Sequence, residues 1–208
     1  MQTGIFEGRS EIKYSYGRWG WTRGGGKKWH GGVDVVGLDN SYIRMPYYYD
    51  SDGMPHKITG TVTRARIVTD KSNATWEWGY YVCVCLDANQ TPDSINYLYF
   101  CHCEKLLVKV GQRVSSGDVL AIMGNTGNAA GGYKHCHLEV RNMSTSKGLD
   151  PTHYIGHTNE VGVWGSVDTP QVDNRLQILT VGPVSRGDAD QFYMLASRLD
   201  LLDRGLYK

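Results

Sequence analysis

A glycine-rich run ending in two closely spaced histidines constrains this chain more than any other stretch. It reads Gly124-Asn125-Thr126-Gly127-Asn128-Ala129-Ala130-Gly131-Gly132-Tyr133-Lys134-His135-Cys136-His137-Leu138-Glu139-Val140. The glycines mark a loop, because they accept backbone conformations closed to other residues, and the alternating residues after them read as a strand. Residues i and i+2 of a strand share a face, so His135 and His137 project side by side while Cys136 and Leu138 turn the other way. Two imidazoles on one face suit a metal, or a metal plus a base.

A second element stands far upstream, Trp29-His30-Gly31-Gly32-Val33-Asp34. Glycines in a helix interior are unfavourable by roughly 1 kcal/mol each, which argues against a helical ligand pair and for an extended or looped His30…Asp34 pair. One carboxylate and two imidazoles around an open fourth position is the composition expected of catalytic zinc.

These two elements, with Tyr99-Phe100-Cys101-His102 between them, resemble the lysostaphin-like, LytM-type zinc endopeptidases that cut peptidoglycan peptides. The pattern in that family is His-x-x-x-Asp early, a lone His after a strand, and His-x-His late, and all three parts occur here in order. Tyr16-Gly17-Arg18 is a loose version of a family Phe-Gly-x-Arg element, and Asp150-Pro151 resembles the pair that closes the catalytic domain. Cys101 departs from the small residue usual at its place.

The resemblance spans roughly residues 12–156 and implies a mainly β fold, an antiparallel β-sheet of the glucose-permease-like β-sandwich type with long loops. It implies one Zn²⁺ per chain held by His30, Asp34 and His137, and His102 and His135 as catalytic groups beside the attacking water. Either histidine can be the base. Glu139, further along the same strand face, is a rival. The implied activity is hydrolysis of peptide bonds in bacterial peptidoglycan, cross-bridge or stem peptide. The alternative is a non-cutting LytM-type module that binds wall or activates an amidase.

Composition agrees with a turn-rich β protein: 26 glycines and 14 tyrosines in 208 residues. Strands are expected at Ile58 to Ile67, with a bulge at Gly60, at Tyr80 to Leu86 and at Tyr97 to Cys101. Residues 107–124 read as a scaffold hairpin. Their glycine rhythm also occurs in biotinyl and lipoyl carrier domains, but no modifiable lysine follows. Residues 40–55 read as a surface loop whose Asp50-Ser51-Asp52-Gly53 lacks the glutamate that would complete a calcium loop. The five cysteines are expected as buried free thiols, because their Cys-x-Cys spacing is wrong for structural zinc.

With 22 basic and 21 acidic residues the net charge is +1, so bulk electrostatics give no reason to expect a nucleic-acid partner. No run approaches the ~18 apolar residues of a membrane span. The N-terminus lacks the basic and apolar regions of a signal peptide, which leads to the expectation of a phage-encoded lysin, released at lysis or virion-associated, or of an exported protein lacking its leader.

The expected division is a catalytic domain at 1–156, a linker at 157–174, and a small βα segment at 175–208. That segment has a strand at 176–181 and a helix opened by Ser185-x-x-Asp188 and carrying Phe192, Leu195, Leu199 and Leu202. Wall binding or oligomerisation are its candidate roles, and the oligomeric state stays open. The bond cut is also open, to be decided by loops 18–28, 40–55 and 125–134.

Overall fold

The structure, a computed structural model, describes residues 2–143 and 148–165. Its strands, labelled for those that build or brace the site, are β1 Ser10–Ile12, β2 Gly20–Arg23, β3 Lys28–His30, β4 Val33–Gly37, β5 Thr59–Ile67, β6 Tyr80–Leu86, β7 Tyr97–Cys101, β8 Arg113–Ser115, β9 Cys136–Arg141 and β10 Gly162–Trp164. An antiparallel sheet of eight strands runs β8-β5-β6-β7-β9-β4-β1-β10, while β2 and β3 form a separate hairpin. The one α-helix among the described residues is the short Thr152–Ile155. Described residues include no helix long and apolar enough to cross a membrane. The fold is therefore mainly β and antiparallel, as the motifs implied.

The strand period separates the two faces of the sheet. Val33 and Val35 on β4, Val82 and Val84 on β6, Leu98 and Phe100 on β7, and Cys136, Leu138 and Val140 on β9 enter one large core. Full burial of each such Leu, Val or Phe contributes about 1.5–3 kcal/mol. The opposite face carries Tyr81, Cys83, Tyr99 and Cys101 in a smaller cluster, together with Asp34, His137 and Glu139, which alternate with the core residues of β4 and β9. A continuous run of apolar residues on both faces, as in Tyr80 to Leu86, is what a central strand requires.

Several local expectations change. The bulge on β5 falls between Val62 and Arg64 rather than at Gly60, where a side chain would collide with Val84 and the Cys85 carbonyl. Residues 107–124 form a hairpin only in part: the Leu107 amide donates to the Leu120 carbonyl, continuing the pairing of Lys105–Leu106 with Val119–Ile122, but β8 joins the large sheet and Val119–Ile122 pairs also with Tyr42–Arg44. The stretch 40–55 is more structured than a surface loop, since Ile43 and Met45 are fully buried and Tyr48–Tyr49 pairs with Pro55–His56.

In the tip of that hairpin Asp50 is engaged internally. It accepts from the backbone amides of Asp52 (3.0 Å) and Met54 (2.8 Å) and lies 2.6 Å from His56 Nε2. Within the stretch expected as a linker, β10 pairs with β1 at the edge of the sheet. The rest of that linker from 166, and the βα segment at 175–208, lie outside the described residues.

Candidate metal centre

Strand register builds the centre. Asp34 on β4 lies directly across from His137 on β9, and His137 in turn faces Cys101 on β7. Facing residues of an antiparallel pair bring their Cβ atoms to about 4.5–5.5 Å, so a carboxylate and an imidazole on one face must meet. Gly32, between His30 and Asp34, permits this approach, since a Cβ there would strike the Leu138 carbonyl and the His137 ring. His30 ends β3, and its extended relation to Asp34 replaces the helical spacing of other metallopeptidase motifs.

Three atoms converge. His137 Nδ1 lies 3.0 Å from His30 Nε2 and 3.0 Å from Asp34 Oδ1, and His30 Nε2 lies 3.3 Å from the same carboxylate oxygen. The hydrogen bonds behind the rings fix their tautomers. His30 Nδ1 donates to the Arg18 carbonyl at 2.8 Å, and His137 Nε2 donates to Glu139 Oε2 at 3.3 Å. Both inward nitrogens are thus the ones that can present a lone pair to an ion, His137 once it gives up the proton it holds towards Asp34.

Ligand atoms buried this close need positive charge among them, supplied here by the His137 proton and by Arg23 and replaceable in part by a metal cation. A tetrahedral zinc with bonds of about 2.0–2.2 Å sets its ligand atoms some 3.3–3.6 Å apart, so the donor set fits that ion with small adjustments. His30, Asp34 and His137 form the only group of three or more potential metal ligands this close among the described residues.

Arg23, on β2, reaches the same place: its Nη2 lies 2.8 Å from His30 Nε2 and donates to Asp34 Oδ2 at 2.6 Å. A guanidinium can only donate, which again assigns His30 Nε2 as acceptor. The contact with Oδ2 leaves Oδ1 available to an ion.

Two further histidines flank the triad. His102 Nδ1 donates to the Thr126 carbonyl at 2.8 Å and His135 Nδ1 to the Tyr133 carbonyl at 3.0 Å, leaving each Nε2 as an acceptor. Their rings lie 4.9 Å apart, and His102 is 5.8 Å from the His137 ring. His102 has a left-handed backbone, φ 62°, which is unfavourable by roughly 1–2 kcal/mol for a residue of this kind. Strain of this kind collects at functional sites, and no sequence signal announces it. His135 lies just ahead of β9, bridged to Gly124.

Burial and charge set the protonation states. Burial drives His102 down to about 3, helped by the charges of His137 and His135, and lowers His30 and His135 as well. For His137 burial acts downward too, but the Asp34 and Glu139 carboxylates outweigh it and hold the ring at about 9. Burial would raise Asp34, yet its bonds to His137 and His30 carry it well below the usual carboxylate range. Glu139 lies behind His137, with Arg141 at 2.5 Å from its other oxygen, so it faces the ligand's far nitrogen.

These shifts predict a stability optimum for chelated protein. His137 is raised above the ordinary 6.5, so its contribution is full below ~6.5 and lost as pH climbs through about 9. His102 is depressed from 6.5 to about 3, so its contribution is full above ~6.5 and lost as pH falls towards 3. Thermal melts in excess chelator are expected to peak near pH ~6.5 and decline on both sides; a melting temperature flat from pH ~5 to ~9 would contradict both assignments.

An antiparallel sheet whose face presents a His-Asp-His triad between two neutral histidines defines a metal-competent hydrolase-like centre. Residues 59–151 match the family model of peptidase family M23, in line with the family that the motifs resemble. The matched segment includes His102, His135 and His137, and the fold brings His30 and Asp34 to them from outside it.

Among solved structures the chain is similar to the catalytic domain of the antimicrobial peptidase lysostaphin from Staphylococcus simulans, at 21% identity over 69% of this chain and 90% of that one, TM-score 0.46. It is similar also to the catalytic domain of the prophage-encoded M23 protein EnpA from Enterococcus faecalis, at 18% identity over 69% and 91%, TM-score 0.47. A putative peptidase M23 from Pseudomonas aeruginosa matches at 27% identity over 62% and 44%, TM-score 0.42.

Proposed function

We propose that this chain is a zinc-dependent endopeptidase acting on the peptides of bacterial peptidoglycan. In this reading His30, Asp34 and His137 hold one Zn²⁺, and His102 and His135 move protons. The observation that carries it is the meeting of three potential ligand atoms at 3.0–3.3 Å beside two imidazoles whose outer nitrogens are tied to backbone carbonyls.

A zinc ion held there supplies Lewis acidity towards a water and a carbonyl. The protein's own contribution is positional. Asp34 brings the one negative charge of the triad, and Glu139 orients His137 through the far nitrogen. The two flanking rings enter neutral, with Nε2 ready to accept a proton from the attacking water and to return it to the leaving amine.

Groups that orient a ligand from behind typically set metal affinity by 10–100-fold. Glu139→Gln is therefore expected to weaken zinc about 10- to 100-fold in competition with a chelating dye, with turnover largely restored at saturating zinc. Unchanged affinity would remove Glu139 from this role.

The deciding experiment is digestion of peptidoglycan from several wall types, with chelator and with added zinc, reading released ends by mass spectrometry alongside metal analysis of the protein. New peptide termini that vanish with chelator and return with zinc support the endopeptidase and name the bond. Intact peptides from protein holding one zinc would instead favour the non-cutting module that binds wall or activates an amidase.

A further inference from the structure

The centre contains one hydrogen-bond donor that the triad and its flanking histidines do not use. Tyr133 leaves the glycine-rich loop two residues before His135. Its ring lies over the His135 ring, centroids 4.6 Å apart at 27°, and meets Tyr14 edge-on at 5.2 Å. Its carbonyl accepts the His135 Nδ1 proton, so main chain and side chain of one residue hold the same imidazole. The hydroxyl at the end of this ring is buried and has no hydrogen-bond partner among the described residues.

Buried hydroxyls are nearly always partnered, so an orphan at a reactive centre is informative. Burial is the largest influence raising this phenol's pKa. The Asp34 carboxylate comes next, with the Arg23 charge opposing it; the ring's place beside the triad follows from its stacking on His135, whose Nε2 stands 3.6 Å from Asp34 Oδ1. The hydroxyl keeps its proton at any working pH.

Other groups here are committed. His30 and His137 donate away from the centre, to Arg18 and Glu139. His102 and His135 donate to Thr126 and Tyr133 and present lone pairs instead. Nη2 of Arg23 is engaged with Asp34 and His30.

We infer that Tyr133 is a further catalytic residue: its O–H donates a hydrogen bond to the scissile carbonyl oxygen as negative charge develops there. This rests on the endopeptidase reading above. Attack on a planar carbonyl moves an electron pair onto its oxygen, and a donor held ready in a dry site stabilises that charge more than it stabilises the ground state. No bond to tyrosine forms or breaks, and the phenol proton stays on the phenol. The ring, packed between His135 and Tyr14, provides the rigidity that such a donor needs.

The test compares zinc-loaded wild type and Tyr133→Phe as full chains; phenylalanine keeps the ring and its stacking and removes only the hydroxyl. Zinc content is expected to be equal, kcat to fall about 10²–10³-fold, and KM to move less than about threefold. Inorganic phosphate, a tetrahedral oxyanion, is expected by calorimetric titration to bind about tenfold more weakly to the variant. A variant kcat within about threefold of wild type would overturn the assignment. Should zinc-loaded wild type cleave no wall peptide, the endopeptidase reading fails, and the titration then decides Tyr133 alone. Equal phosphate affinity in the two proteins overturns the donor, and a tenfold gap retains it as an oxyanion-binding group.

Discussion

Alanine in place of Asp34 is expected to abolish metal binding and hydrolysis together. Asp34 supplies the triad's one carboxylate, buried to 1% exposure, and both His30 and His137 sit within 3.3 Å of its Oδ1. Its loss removes more than one ligand in three. Arg23, which donates to Asp34 Oδ2, would be left beside two imidazoles with no carboxylate between them, and the site would repel a divalent cation. Removing one partner of a buried pair destabilises by about 3–5 kcal/mol, so folding of the variant must be confirmed by circular dichroism at low temperature first. On folded protein, zinc content is expected to drop from about one per chain to near zero, with no cleavage above background. Full zinc occupancy in Asp34→Ala would show that the metal, if any, sits elsewhere.

The shared face of His137 and Glu139 was legible because these residues obey the strand period. Alternation after Gly132 put His137 and Glu139 on the face opposite Leu138 and Val140, and the structure keeps that division. Tyr80–Leu86 and Tyr97–Cys101 have the bounds that their apolar runs suggested. What failed depends on partners distant in sequence. A strand such as Val119–Ile122 looks the same whether it pairs only with the stretch just before it or also with Tyr42–Arg44, and only the packing of Ile43 and Leu120 into the core decides.

Arg23 and Tyr133 were missed for a related reason. A single arginine on a hairpin and a single tyrosine in a loop carry no spacing, so nothing short of the folded register shows that one reaches Asp34 and the other stacks on His135. Glu139 was seen but placed in a different role, because strand alternation gives a face and says nothing about which side of His137 a carboxylate will meet.

Loss of either flanking histidine is expected to separate metal from turnover. Neither ring belongs to the converging triad: His135 Nε2 stands 3.6 Å from Asp34 Oδ1, beyond a hydrogen bond, and His102 is tied to Thr126. Zinc content should therefore stay near one per chain in His135→Ala, while kcat falls about 10²–10⁴-fold, the usual contribution of a positioned acid or base. For His102 the left-handed backbone at φ 62° makes alanine a poor probe, since strain would be mixed with chemistry. Asparagine tolerates that conformation, so His102→Asn isolates the loss of the imidazole and should show the same pattern of retained zinc and a 10²–10⁴-fold lower kcat, roughly. The double variant is expected to lose little beyond the worse single one if the two rings serve one proton path, because groups acting as a unit are strongly non-additive. Retained zinc with normal turnover in His135→Ala would sink its assignment and leave His102 as the one flanking base.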